Sequence, residues 1–92
     1  MQPIADPHSH HQVIRAEVAI ELLNGARARI TERIHAGPGL TTQERERLEA
    51  AEAHLYHQVR NLDLTDISTV ERIISTWGPR LNDPGLFWDA IR

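Results

Sequence analysis

The chain has 92 residues, of which 40% are hydrophobic and 25% charged, and this composition suits one small folded domain. It has no cysteine, which excludes disulfide bonds and thiolate metal sites, and its formal net charge of −3 gives no overall attraction to nucleic acid or to an anionic membrane. No apolar run approaches the roughly 20 residues of a membrane span, and the first residues lack the pattern of a signal peptide, so we expect a cytoplasmic protein with no membrane partner.

The first predicted helix covers about residues 8–36 and follows a short segment, residues 1–7, that we expect to be flexible. Its start is capped either by Asp6, with Pro7 in the first turn, or by Ser9. Apolar residues at steps of three and four place one stripe on a single face: Val13, Ala16, Ile20, Leu23, Ile30 and Ile34. A second stripe, formed by Ile14, Val18 and Leu22, needs a cover of its own. That cover is either the later helices or a second copy of the chain in a homodimer.

The second predicted helix covers about residues 42–62 and returns antiparallel to the first. Gly37, Pro38 and Gly39 end the first helix, because glycine suits the position after a helix and proline cannot continue the hydrogen-bond ladder. Thr41 and Glu44 have the spacing of a capping box, which starts the next helix. One narrow apolar stripe follows, and it predicts a helical hairpin: Leu48, Ala51, Leu55, Val59 and Leu62.

The remaining residues predict a third helix over about 66–77 and a short fourth helix over about 84–91. Gly78 and Pro79 are expected to end the third helix, and Asp83 before Pro84 has the pattern of a helix start. Residues 8–92 therefore form a single all-α domain. We expect a long antiparallel hairpin with a third helix and a short C-terminal helix packed on it, as in a small helical bundle.

Arg27 interrupts the main apolar stripe of the first helix, where a charge is costly unless it is paired or reaches solvent. Counting back from the turn between the two helices places Arg27 near Glu49 and Glu52. We therefore predict an ion pair that fixes the register of the hairpin. The alternative is that the arginine simply extends to solvent.

No cluster of residues in the sequence has the pattern of a catalytic site. The imidazoles of His54 and His57 are three residues apart, a spacing that can bring two ligands to one metal, but no further ligand accompanies them. The carboxylates of the second helix alternate with arginines, as on a solvated helix surface. We expect no enzyme activity, no metal site and no cofactor.

The stretch LTTQERERLEAAE, residues 40–52, is similar to the opening of LuxR-type and sigma-factor helix-turn-helix domains. This resemblance implies a small DNA-binding regulator that uses helices two and three. In those domains a short helix is followed by a turn and a recognition helix, whereas here the helical pattern continues to Leu62, and Asp63 and Asp66 follow it. DNA binding is therefore the alternative function, and we expect nucleic acid to be the less favoured partner.

The C-terminal residues are the best candidates for a binding surface. Leu86, Phe87, Trp88 and Ile91 bring two aromatic rings into the last short helix, and aromatic side chains are the usual anchors of protein interfaces. The competing interpretation is a plug that closes the bundle. We expect a non-enzymatic protein that binds another protein as a regulator, inhibitor or adaptor subunit.

All ten basic residues are arginine, which suggests the GC-rich genome of a bacterium or its phage.

Overall fold

The structure of the protein is a computed structural model that describes residues 8–36 and 38–91. These residues form four helices, and no strand occurs among them: α1 (His10–His35), α2 (Thr42–Asn61), α3 (Ile67–Asn82) and α4 (Pro84–Ile91). The predicted all-α class, with a helical hairpin that carries a third helix and a short fourth one, is confirmed. The predictions for residues 1–7 and for Gly37 lie outside the described residues.

Side chains before the helices accept hydrogen bonds from backbone amides that a helix start leaves unpaired. Ser9 Oγ accepts from the amide of Gln12 at 3.1 Å, so α1 starts at the second of its two predicted caps. Thr41 and Glu44 form the predicted capping box, with Thr41 Oγ1 accepting at 3.0 Å and Glu44 Oε1 accepting at 3.2 Å. Asp83 Oδ1 accepts from the amide of residue 85 at 2.9 Å, which starts α4 as predicted.

The predicted end of the third helix was wrong, because α3 continues through Gly78 and Pro79 to Asn82. A proline inside a helix removes one backbone hydrogen bond and crowds the preceding turn. Contacts with α1 outweigh this cost: Arg29 Nη2 donates to the carbonyl of Leu81 at 2.6 Å, and the Leu81 side chain packs against the core. Asn82 Nδ2 also donates to the carbonyl of Gly78 at 3.1 Å. The last turn of α3 is therefore held by tertiary contacts that the local sequence does not reveal.

Helix α1 is the central element, and α2 and α3 both pack along it. No Cα atom of α2 comes within 8 Å of one in α3, although both helices lie wholly within the described residues. The core consists of buried side chains from all four helices: Ala16, Ala19, Leu23, Ala26, Ile30, Leu48, Leu55, Val70, Ile73, Trp77 and Phe87. Three of these are alanines of α1, and their small side chains let the neighbouring helices approach closely.

The buried face of α1 is rotated from the predicted stripe. Ala16, Leu23 and Ile30 are buried as predicted. Val13 was expected to be in the core but is 45% exposed, whereas Gln12 and Ala19 are buried. The second predicted stripe also divides: Leu22 packs against the core, Val18 is half-buried and Ile14 is 44% exposed. Alanines carry little hydrophobic signal, so the larger apolar side chains beside them dominated the prediction.

Candidate functional site

Helix α4 crosses from the end of α3 to the start of α2 and separates two depressions of the surface. The rings of Phe87 and Trp77 have centroids 6.1 Å apart, which ties α4 to α3. At its other end, Ile91 lines both depressions together with residues of α2. We name the depression beside the α1–α2 turn the tip cleft, and the one between α2 and α3 the central groove.

The tip cleft has a volume of about 500 Å³ and lies between the α1–α2 turn and α4. Its lining combines four apolar and three charged side chains: Arg33, Leu40, Glu44, Arg47, Leu48, Trp88 and Ile91. Small-molecule pockets fall in the range of about 300–1,000 Å³. The cleft is therefore large enough to take one bulky side chain or a short segment of a partner.

Two arginines of the tip cleft, Arg33 and Arg47, could bind an acidic group of a ligand. Hydrogen bonds from Thr41 lower the pKa of Glu44, and the nearby charges of Arg33 and Arg47 lower it further. The Glu44 carboxylate is thus ionised at neutral pH and held by the capping box. Within the described residues neither arginine makes a hydrogen bond or a salt bridge through its guanidinium, so each can meet an acidic group of a ligand in addition to its longer-range interaction with Glu44.

The four predicted partner-binding residues do not form one surface. Phe87 is fully buried in the core, so it supports α4 from within and presents nothing to a partner. Trp88 and Ile91 are half-buried and line the tip cleft. Leu86 is 51% exposed, but a helix turns about 100° per residue, so it lies about 200° around α4 from Trp88. Phe87 therefore fits the competing interpretation, a plug that closes the bundle. A surface role remains a prediction for Leu86, Trp88 and Ile91.

The central groove has a volume of about 380 Å³ and follows the gap between α2 and α3. Its floor is apolar and its rims are polar: Ala51, His54, Leu55, Gln58, Arg72, Ile73, Thr76, Trp77, Arg80, Ala90 and Ile91. No Asp or Glu occurs in this lining, within the part of the chain that the structure describes. The guanidinium of Arg80 lies 4.9 Å from the centre of the Trp77 ring. No sequence pattern indicates this groove, because it depends on how far apart α2 and α3 lie.

Arg27 pairs with Glu52, one of its two expected partners, through Nε and Oε1 at 3.0 Å. Its Nη1 donates to Asn24 Oδ1 at 3.0 Å, and its guanidinium lies 4.9 Å from the centre of the Tyr56 ring. Glu49, the other expected partner, makes no ion pair within residues 8–36 and 38–91. The contact joins α1 to α2 near the middle of the hairpin. Whether it sets the register remains a prediction.

A second ion pair, between Arg15 and Glu71, was not predicted and joins α1 to α3. Arg15 Nε donates to Glu71 Oε2 at 2.8 Å, and Arg15 Nη2 donates to Glu71 Oε1. The hydrogen bonds from Arg15 lower the pKa of Glu71, with smaller contributions from the charges of Arg15 and His11. The two partners are 56 residues apart, and no sequence pattern relates them.

The histidines do not assemble into a metal centre within the described residues, where no group of three or more His, Asp or Glu side chains is arranged to hold an ion. His54 lines the central groove, while His57 is exposed elsewhere on α2. None of the described helices combines the length and the apolar character needed to cross a membrane.

The chain matches no protein-family model, and neither a curated protein nor a solved structure is significantly similar to it. Its geometry is therefore the basis for a proposal about function.

Proposed function

We propose that the protein is not an enzyme and that it acts by binding another protein, as a regulator, inhibitor or adaptor subunit. The observation that carries this proposal is the tip cleft, where the half-exposed Trp88 and Ile91 stand over an apolar floor. Partly exposed aromatic side chains beside a concave apolar surface are typical anchors of protein interfaces. We also propose the cytoplasm as its location.

The construction of the tip cleft supports binding to a partner. The Trp88 ring packs edge-on against Phe87, with ring centroids 4.7 Å apart, and Phe87 is anchored in the core. Leu48 is also buried, so both walls of the cleft are held by the core. A surface that is already ordered loses little conformational entropy on binding, which favours affinity.

A DNA-binding regulator that uses α2 and α3 finds less support. Arg45 and Arg47, which would have to meet phosphates together, lie about 200° apart around α2. Hydrogen bonds from Thr65 and Thr69 lower the pKa values of Asp63 and Asp66, which keeps both carboxylates ionised between the two helices. Helix α2 also runs unbroken for 20 residues, where a helix-turn-helix domain needs a turn.

A homodimer is a secondary proposal, and it rests on the start of α1. Val13 and Ile14 are 45% and 44% exposed there, next to the half-buried Val18. A mass measurement by light scattering over a range of concentrations tests it. We expect association that Ile14→Glu abolishes, and a monomer at every concentration would refute it.

Affinity capture from a lysate of the encoding organism tests the main proposal. Three chains are compared, each confirmed as folded by circular dichroism: wild type, Trp88→Ala and Leu64→Ala. Leu64 is 47% exposed in the α2–α3 connection, at the opposite end of the molecule from the tip cleft. We expect one protein to be enriched by wild type and by Leu64→Ala and lost with Trp88→Ala. Enrichment that does not distinguish the two variants would argue against the tip cleft as the binding site.

A further inference from the structure

We propose that the central groove is a second docking site and that its occupant is an acidic amphipathic helix of a partner protein. This inference rests on the proposed function of protein binding, but it concerns the central groove, whose lining shares Ile91 with the tip cleft and otherwise differs from it. Trp77 lies in the central groove and Trp88 in the tip cleft, so the two sites can be tested independently.

The shape of the groove suits a helix. Helices α2 and α3 pack on α1 and keep apart from each other, so their facing sides form a trough. In a helical bundle the position over such a trough is filled by another helix, packed at about 8–10 Å from its neighbours. Leu55, Ile73 and Trp77 form the apolar floor against which the occupant would place its own apolar stripe. Ala90 and Ile91 of α4 close one end.

The charges of the groove select an acidic occupant. Arg72 and Arg80 stand on the α3 side, His54 stands on the α2 side, and no carboxylate lines the groove in the described part of the chain. The protein as a whole carries a formal net charge of −3, so the charge of this basic strip is opposite in sign to the net charge of the protein. Arg72 is exposed, and its guanidinium makes no hydrogen bond or ion pair within the described residues, although its charge contributes to the lowered pKa of Asp66. Complementary charge would orient an acidic helix and reject a basic one.

The spacing of the two arginines defines the expected motif. Eight residues separate Arg72 from Arg80, which corresponds to about 12 Å along α3 at about 1.5 Å per residue. Carboxylates at positions i and i+7 or i+8 of the partner helix have the same separation. Apolar residues on a stripe about 60–100° around that helix from the carboxylates would then face the floor. The contact with Trp77 already holds the guanidinium of Arg80 over the groove.

A nucleic acid fits the groove less well than a helix does. Phosphates would be attracted by the same arginines, but they gain nothing from an apolar floor of Leu55 and Ile73. Few cationic groups are present, whereas nucleic-acid surfaces usually gather many. Binding of duplex DNA in the groove is therefore the competing outcome of the experiment below.

The chain contains only two tryptophans, and this makes nuclear magnetic resonance a direct test. The ¹⁵N-labelled protein is titrated with two synthetic helical peptides that share one apolar stripe, one with Glu at i and i+8 and the other with Lys there. We expect the Glu peptide to shift the indole signal of Trp77 and to leave that of Trp88 unchanged, and the Lys peptide to shift neither.

Charge variants complete the test. Arg72→Glu should weaken binding of the Glu peptide by about fivefold or more, and Arg72→Gln by less. Arg45→Glu makes the same change of charge on the far side of α2, and it should alter binding by less than about twofold. Circular dichroism confirms that each variant is folded.

Four results would overturn the proposal: no shift of Trp77, equal shifts with both peptides, equal weakening by Arg72→Glu and Arg45→Glu, or a Trp77 shift with duplex DNA in place of the peptide. A shift of Trp88 alone would refute the groove but support the tip cleft. A shift of the Trp77 signal, together with partner capture that Trp88→Ala leaves unchanged, would support the central groove and argue against the tip cleft.

Discussion

Replacement of Phe87 by alanine tests whether α4 is part of the core. Phe87 is fully buried, with its ring centroid 6.1 Å from that of Trp77 and 4.7 Å from that of Trp88. Phenylalanine-to-alanine changes at buried sites cost about 3–5 kcal/mol, a large part of the roughly 5–15 kcal/mol that stabilises a domain. At about 4–8 °C per kcal/mol for a domain of this size, Tm should fall by roughly 12–40 °C.

Thermal unfolding followed by circular dichroism measures this change, with Trp88→Ala as the matched control on the same helix. Trp88 is only half-buried, so its truncation should cost about 1–2 kcal/mol and leave a folded protein at room temperature. A shift of only a few degrees for Phe87→Ala, or a larger loss for Trp88→Ala, would refute the placement of α4. The comparison also separates a loss of folding from a loss of binding.

Three further predictions concern the α1–α2 turn and the ion pairs. Gly39→Ala should destabilise the protein by more than about 1 kcal/mol in chemical denaturation, since Gly39 has a φ of 117°, which residues with a side chain rarely adopt. Unchanged stability of Gly39→Ala would contradict this backbone conformation. A double-mutant cycle of Arg27→Ala and Glu52→Ala should give a coupling of about 0.5–1 kcal/mol, and zero coupling would deny the pair a role in register. The lowered pKa of Glu71 stabilises the fold above about pH 4.5, and this contribution is lost as the pH falls through the folded-state pKa. Between about pH 6 and about pH 3 Tm should therefore fall less in Glu71→Gln than in wild type, and equal falls would contradict the assignment.

The local features of the fold could be predicted from the sequence because they depend on neighbouring residues. The capping box of Thr41 and Glu44 and the start of α4 after Asp83 both satisfy helix-end amides within three residues along the chain. The apolar stripe of α2 also packs as expected, with Leu48 and Leu55 buried. The short spacing of the capping residues predicts the helix starts, and the helical periodicity of the apolar residues predicts the buried face of α2.

The predictions that were wrong or incomplete concern features that depend on tertiary contacts. The last turn of α3 beyond Pro79 is stabilised by Arg29 and Leu81, which lie 52 residues apart. The buried face of α1 was predicted only in part: Ala16, Leu23 and Ile30 are buried as expected, but Ala19 and Ala26 carry a weak apolar signal and were missed. In both cases the deciding contact joins distant parts of the chain, and local propensity is easily outweighed by such contacts.

The candidate site could be predicted only in part. An aromatic cluster at the C-terminus was expected to bind a partner, and Trp88 does reach a cleft, but the fully buried Phe87 does not. Sequence spacing within a helix of eight residues cannot show which side faces the core when apolar residues occur all around it. The central groove had no signal in the sequence, because its walls come from two helices whose Cα atoms stay more than 8 Å apart.

The measurement that tests the central claim most directly is a titration of the ¹⁵N-labelled protein with the unlabelled partner obtained by affinity capture, followed at the two indole signals. If the protein binds through the tip cleft, the signal of Trp88 should shift or broaden in proportion to the complex formed, and Trp88→Ala should reduce the affinity by about tenfold or more. A partner that binds while the Trp88 signal stays unchanged, and that binds the Trp88→Ala variant equally well, would contradict the account.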